Sequence, residues 1–491
     1  MTSTHDLVLR GGRVIDPETG LDDVRDVAID GGTITAIGAD VHGAVTIDAR
    51  GLVVAPGFID LHSHAHTLPG RRLQASDGVT ASFDLEAGRS PIDVAYEQEA
   101  RRGSPIHYGF SASWASRRMQ VVGEMPIDGR LGSGFAALGD SSWQREASTV
   151  EVDRIIEHLG DDLAAGGLGV GLLMGYAPGV APDEYLAVAE LAARAGVPTF
   201  THSRELVEVA PDGRIDGAEE LVRAAGETGA HMHYCHINST SSRHVDRVLG
   251  LVERCRAEGG HVSTEAYPYG SASTAIGAPF LAPERLRERG LEPTAVTYLP
   301  TGERVADDDR LRELRANDPG GIVIVDFLDE RDPTQFALLR RSLQFPNSIV
   351  ASDAMPPFAT TTMRFEFDAW PLPSDAVTHP RTAGCFARAL RLWRDEGEPL
   401  LEAIRRMTLL PARALEAAAP AMLRKGRLQV GMDADLVVFD AGQVTDQASY
   451  ERSTQPSSGI AHVLVAGTFV VRDGELVLDA QPGRPIRGEP S

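Results

Sequence analysis

Between residues 182 and 267 the chain alternates strand-like and helix-like segments with a repeat of about 30 residues, and this run restricts the fold more than any other feature. Pro182 stands in the first turn of an amphipathic segment through Tyr185, Leu186, Val188, Ala189, Ala192 and Ala193, and Gly196 is placed to end it. Residues 197–201 then read as a strand, 218–225 as a helix, 230–234 as a strand, 242–257 as a helix and 261–267 as a strand. A β-α-β-α-β run predicts an α/β fold with a parallel sheet. About 350 residues are available for it, which suits a (β/α)8 barrel with insertions. A doubly wound open sheet is the alternative. No Gly-x-Gly-x-x-Gly follows an early strand, which argues against a dinucleotide fold and a dehydrogenase.

At 491 residues the chain is too long for one ordinary core. Residues 6–15 and 26–37 read as β-runs punctuated by Gly-Gly pairs, and the same texture returns at 435–439, 462–466 and 468–472. Both ends therefore predict one small β-sandwich, built from 1–56 and 421–480, with a barrel of 57–420 inserted between them. Residues 481–491 are expected to form a flexible tail. Ser148-x-x-Glu151 predicts a capping box before Val152, Ile155, Ile156 and Leu159. The stretch 270–345 reads either as a lid over the barrel mouth or as a barrel segment with a weak period.

The balance of 70 acidic against 47 basic residues gives a formal net charge of −23, which repels phosphate backbones and excludes nucleic acid as a partner. The three cysteines, Cys235, Cys255 and Cys385, make no disulfide framework and suit a reducing compartment. With no basic-then-apolar start and no apolar run of about 18 residues, a cytoplasmic protein without membrane contact is expected. The only lysine is Lys425, so none is available to the barrel before it.

Residues 58–64 carry an apolar run ending in His62-Ser-His64. On a strand, positions i and i+2 face one side, so both imidazoles are able to grip one metal ion. His66 continues the register but reads as a loop residue. His202 and His236 each follow a strand-like segment, and in parallel α/β folds the carboxyl ends of strands converge on one site. His231 and His233 alternate along a strand and fit a ligand role less well. Asp353 ends the apolar run 349–353 and offers a carboxylate that binds metal and takes a proton from water.

Residues 53–64 together resemble the first-strand signature of the amidohydrolase superfamily. More specifically, Thr201-His202-Ser-Arg204-Glu205, Glu265-Ala-Tyr267-Pro-Tyr269, Ser352-Asp353, His379-Pro380-Arg381 and the segments from Met407 to Asp440 resemble the D-aminoacylase branch over nearly the whole chain. The resemblance implies a barrel plus β-sandwich, one or two zinc ions, and hydrolysis of an N-acyl-D-amino acid to a carboxylate and a free amino acid. It further implies that Arg381 and Tyr267, with Arg204 as a second candidate, grip the substrate carboxylate. One departure stands out. D-aminoacylases place a cysteine ligand after the Gly-Val-Thr strand, but here Gly78-Val-Thr80 runs on to Asp84-Leu-Glu86 without one. With neither cysteine nor lysine at hand, Glu86 is the expected bridging ligand, in a form resembling D-glutamate deacylases. Its alternative is a loop carboxylate beside a mononuclear site.

The predicted metal ligands are thus His62, His64, Glu86, His202, His236 and Asp353, with Asp353 also the general base. Cys235 is expected to be a buried thiol directed away from His236. The expected partner is a small carboxylate-bearing amide, and a homo-oligomer is compatible with the sequence. The rival readings are another amidohydrolase reaction, such as cyclic amide opening or deamination, and a non-catalytic binding protein on the same fold.

Overall fold

Eight strands, all parallel, follow one another around the centre of the molecule. They are β1 (Phe58–Asp60), β2 (Val79–Arg89), β3 (His107–Ser113), β4 (Val170–Leu173), β5 (Thr199–His202), β6 (Met232–Tyr234), β7 (Val262–Ala266) and β8 (Ser348–Val350), each paired with its sequence neighbours. The ring closes just beyond β1 and β8, where Asp353 N donates to His62 O at 2.7 Å and His64 N donates to Ala354 O at 2.7 Å. The computed structural model describes residues 4–489 apart from 131–133, 135–136, 207–214 and 363.

The elements between 182 and 267 arise as their sequence dictates. The helix Pro182–Ala195 begins on its proline and stops at Gly196, whose φ of 65° is the left-handed cap that glycine adopts without a Cβ clash. The helices Gly217–Thr228 and Val245–Ala257 join β5 to β6 and β6 to β7. Ser148 and Glu151 form the expected reciprocal cap of the helix Thr149–Ala164.

Strands from both chain ends share one nine-stranded sheet. Its join is the antiparallel pair Val53–Pro56 with Leu436–Phe439, in register Ala55 to Val437. Since Gly57 alone separates Val53–Pro56 from β1, this pairing fixes where the barrel starts. The segment after β7 carries a four-stranded sheet containing Ser271–Ala275, Val296–Tyr298, Glu303–Arg304 and Ile322–Asp326, and it rises beside the barrel mouth. Residues 481–489 pack against the barrel, where a flexible tail is expected from the sequence. Ile486 N donates to Tyr108 O at 2.8 Å, and its side chain is buried with Phe83 and Leu168. An apolar isoleucine there gains more from the core than the tail gains from freedom.

Candidate metal centre

The site lies at the carboxyl ends of the barrel strands. His62 and His64 leave β1, Glu86 lies within β2, His202 ends β5, His236 follows β6 and Asp353 follows β8. All six are buried or nearly so. Glu86 is central. Its Oε2 is 3.2 Å from His62 Nε2 and 3.4 Å from His64 Nε2, while its Oε1 is 2.7 Å from His236 Nε2 and 2.9 Å from His202 Nδ1. Asp353 Oδ1 is 3.4 Å from His62 Nε2 and 3.5 Å from His64 Nε2. Three donor triads result, each within 4.8 Å: His62–His64–Glu86, Glu86–His202–His236 and His62–His236–Asp353. Two of them share Glu86, the arrangement a carboxylate bridging two cations requires.

The donors are prepared for a cation. His62 Nδ1 lies 2.5 Å from Glu265 Oε1 and His64 Nδ1 lies 3.1 Å from Asp84 Oδ1. These carboxylates keep a proton on the far nitrogen and leave the Nε2 lone pairs facing each other across 3.1 Å. Without a cation the site supplies its own positive charge. Burial lowers the pKa of His64, but Asp84 and Glu86 outweigh it and raise it to about 9. Burial likewise opposes protonation of His62, yet Glu86, Glu265 and Asp353 hold its pKa well above the ordinary value. Burial would raise the Glu86 carboxyl, but His62 and His236 pull it well below the usual range. A divalent ion satisfies the same field, and the nitrogen and oxygen donors suit zinc. His236 and Asp353 adopt φ values of 31° and 50°, a region that costs a non-glycine residue about 1–3 kcal/mol and persists where surrounding structure holds it.

Arg381 is completely buried. Its Nε donates to Asp353 O at 2.6 Å, its Nη2 is 2.7 Å from Asp353 Oδ2, and its guanidinium lies 4.6 Å from the Tyr267 ring centroid. Its Nη1 has no hydrogen-bond partner. The Tyr267 hydroxyl makes no well-formed hydrogen bond either, although Ser239 is close enough to act on it. Arg204 departs from expectation. Its Nε pairs with Glu220 Oε2 at 2.8 Å, and its Nη atoms donate to the carbonyls of Ala177, Pro178 and Val180. With its donors engaged, it braces the loop after β4 instead of offering a fork to substrate.

Glu265 was not singled out by the sequence reading, yet it joins His62 Nδ1 to His233 Nε2, which lies 3.0 Å from its second oxygen. Strand alternation held the signal: Ser263 and Glu265 share one face of β7, and His233 Nδ1 reaches Ser263 Oγ at 2.7 Å. His231 also reaches Ser263, so neither histidine joins the metal donors. His66 accepts from Arg71 Nη2 at 2.9 Å and is buried away from them. Cys235 is buried as expected, but it faces the site: its sulfur lies within 4.8 Å of donor atoms of His62 and Glu265. Burial and the Glu265 charge push its thiol well up, so it stays protonated.

Two cavities flank the centre. The larger, about 1120 Å³ and open to solvent, is walled by Tyr176, His202, Ser239, Thr274, Phe280 and Arg289 among others. The second, about 800 Å³, opens on the other side of Glu86. Among the described residues no helix is long and apolar enough to cross a membrane.

A (β/α)8 barrel with four imidazoles and two carboxylates gathered at its mouth has the donor set of a metal-binding barrel protein. Residues 45–125 and 123–471 match the amidohydrolase family, and the chain belongs to it. It is 30% identical to N-acyl-D-glutamate deacylase of Alcaligenes xylosoxydans xylosoxydans over 100% of this chain and 98% of that one. It is 29% identical to N-acyl-D-aspartate deacylase of the same organism, over 98% and 95% of the two chains. Among solved structures, N-acyl-D-glutamate deacylase from Bordetella bronchiseptica, complexed with zinc and a phosphonate mimic of the tetrahedral intermediate, superposes with a TM-score of 0.76 at 25% identity. That match covers 99% of this chain and 100% of the other.

Proposed function

We propose that the protein hydrolyses the amide bond of an N-acyl-D-amino acid, with an acidic side chain such as glutamate, in a zinc-dependent reaction. The observation that carries this is the ring of His62, His64, His202 and His236 around Glu86, with Asp353 against both β1 histidines. The full-length relatives that act on N-acyl-D-glutamate and N-acyl-D-aspartate support the substrate class. A bound divalent cation polarises the amide carbonyl and makes water acidic enough to ionise near neutrality.

The residues of the chain supply the rest. Asp353 Oδ1 faces the donor cluster, and its other oxygen is held by Arg381. Asp353 therefore takes the proton from the attacking water and returns it to the amine nitrogen as the C–N bond breaks. Arg381, its Nη1 open, stacks on the Tyr267 ring while holding Asp353, and we assign this pair the α-carboxylate. Arg289 is a cation on the wall of the larger cavity, where its Nη2 donates to the Ser239 carbonyl at 3.3 Å, its guanidinium lies 5.8 Å from the Phe280 ring centroid and Glu205 shares the wall, and we assign Arg289 the side-chain carboxylate.

The test compares zinc-loaded protein on N-acetyl-D-glutamate, its L enantiomer and N-acetyl-D-leucine. The reading expects the D-acidic substrate to be preferred by at least about ten-fold in kcat/KM, with activity lost on chelation and restored by zinc. Equal turnover of the enantiomers, or none of any of them, overturns it.

A further inference from the structure

Among the described residues the two cavities share His64, Glu86 and Tyr176. A substrate whose scissile carbon sits over the Glu86 carboxylate must place one half in each. Arg289 and Asp353, whose carboxylate Arg381 holds from behind, line the first cavity and not the second, so the amino-acid half goes there and the acyl half goes to the second.

That second cavity is far larger than an acetyl group needs. Open to solvent on one side, it holds about six to nine water-sized spheres, more than the two carbons of an acetyl group fill. Its wall is mainly apolar: Ala115, Met119, Met125, Ile127, Leu138 and Leu173 line it. Ala115 and Met119 come from the helix Trp114–Val121 that follows β3, and Leu173 closes β4. The methionines give a soft, adaptable surface suited to flexible chains. The one buried cation in the wall, Arg89, is already held: its Nε donates to Asp84 Oδ2 at 3.2 Å, its Nη1 donates to Gly129 O at 3.3 Å, and Phe110 covers it at 5.0 Å. Its Nη2 has no partner, so an acyl chain ending in a carboxylate is the competitor to be tested.

We propose that the acyl group this enzyme removes is an aliphatic chain of about six carbons, bound in the cavity between Met119, Leu138 and Leu173. The proposal rests on the deacylase reading above. Hydrolysis adds water oxygen to the acyl carbon, breaks the C–N bond and gives the amine its proton, leaving a fatty carboxylate in this cavity and the amino acid in the other.

The experiment measures kcat/KM of the zinc-loaded enzyme for D-glutamate acylated with acetyl, butanoyl, hexanoyl, octanoyl and adipoyl groups. Each buried methylene should raise kcat/KM about four-fold, so hexanoyl should exceed acetyl by on the order of 100-fold. In Ala115→Leu, which fills the cavity, the hexanoyl-to-acetyl ratio should fall about ten-fold; in Met119→Ala, which enlarges it, the octanoyl-to-hexanoyl ratio should rise. Ratios within one variant are independent of how much of it folds. A flat chain-length series, a preference for adipoyl over hexanoyl, or ratios unmoved in both variants overturns the proposal. If no acyl-D-glutamate turns over, the deacylase reading fails and the cavity is judged by calorimetry. Hexanoate binding at least about ten-fold tighter than acetate then upholds the aliphatic pocket, and equal binding overturns it.

Discussion

Glu86 presents one carboxylate oxygen to His236 Nε2 at 2.7 Å and turns the other toward the histidine pair leaving β1. Its carboxylate belongs to both the His62–His64 triad and the His202–His236 triad. Glu86→Gln keeps the shape but removes the charge that two cations share. The protein should then hold one zinc fewer by elemental analysis, with kcat down by at least about 100-fold. Unchanged zinc content in Glu86→Gln would show that Glu86 is only a neighbour of a mononuclear site.

Glu265 fixes the orientation of His62 from behind, through the 2.5 Å contact to Nδ1. Partners of this kind set the tautomer and basicity of a metal-binding imidazole. Glu265→Gln should weaken zinc retention about 10- to 100-fold, read by competition with a chromophoric chelator, while leaving KM nearly unchanged at saturating zinc. A fall confined to KM would place Glu265 at the substrate instead.

Much of this site was legible because barrel chemistry stands at strand ends. His62, His64, His202 and His236 each follow a short apolar run, and the β-α repeat from 182 to 267 makes the runs before His202 and His236 parallel neighbours. Three things were not legible. Glu265 lies inside a strand, where a carboxylate is unexpected until the histidine beside it is known. Arg204 carries the same residue type as a substrate clamp, and only the carbonyls of 177–180 reveal its bracing role. The end of the chain looked free because Pro, Gly and Arg dominate it, yet a single isoleucine, Ile486, anchors it against β3.

Asp353 is the acid–base group of the proposed reaction, and Arg381 holds both its side chain and its carbonyl. Asp353→Asn should lower kcat by about 10²- to 10⁴-fold, with the folded content by circular dichroism preserved. Arg381→Lys retains charge but loses the planar fork, so kcat and KM should both worsen. Activity of Asp353→Asn within a few-fold of the parent would assign the proton transfer to another group.

Metal binding should release protons. In the metal-free protein the His64 pKa is raised to about 9 and that of His62 lies higher still than its ordinary value. Both then bind protons more tightly folded than unfolded, so their stabilisation is complete below about pH 6.5; the His64 share is lost as pH rises through about 9, and the His62 share as pH rises through its own raised pKa. Zinc replaces those protons. Titration with zinc near pH 7.5, in buffers of different ionisation enthalpy, should show release of about one to two protons, with the His64 share disappearing as pH rises through about 9. Absence of release at pH 7.5 would mean that the histidines are already neutral and the site is held open by other charges.

The only lysine has a structural post. Lys425 Nζ donates to Asp435 Oδ2 at 2.6 Å and to Asp433 Oδ2 at 3.1 Å, while His107 Nε2 lies 3.2 Å from Asp435 Oδ1. Asp435 precedes the strand Leu436–Phe439 and His107 opens β3, so this buried cluster ties the terminal sheet to the base of the barrel. Burial would raise the Asp435 carboxyl, but Lys425 and His107 hold it far below its ordinary value. Its stabilisation is present above about pH 3.9 and is lost as pH falls. Burial lowers the pKa of Lys425, but Asp435 and Asp433 outweigh it, so its share is present below about pH 10.4 and is lost as pH rises. Lys425→Met leaves Asp435 buried without its cation and should cost about 3–5 kcal/mol in denaturant unfolding at pH 7. The paired change Lys425→Met with Asp435→Asn should recover much of that loss, because no lone charge remains inside. If the single variant unfolds at the parent's midpoint, water reaches the cluster and other contacts, such as the Val53–Pro56 pairing and the Arg413–Glu18 ion pair, hold the terminal sheet to the barrel.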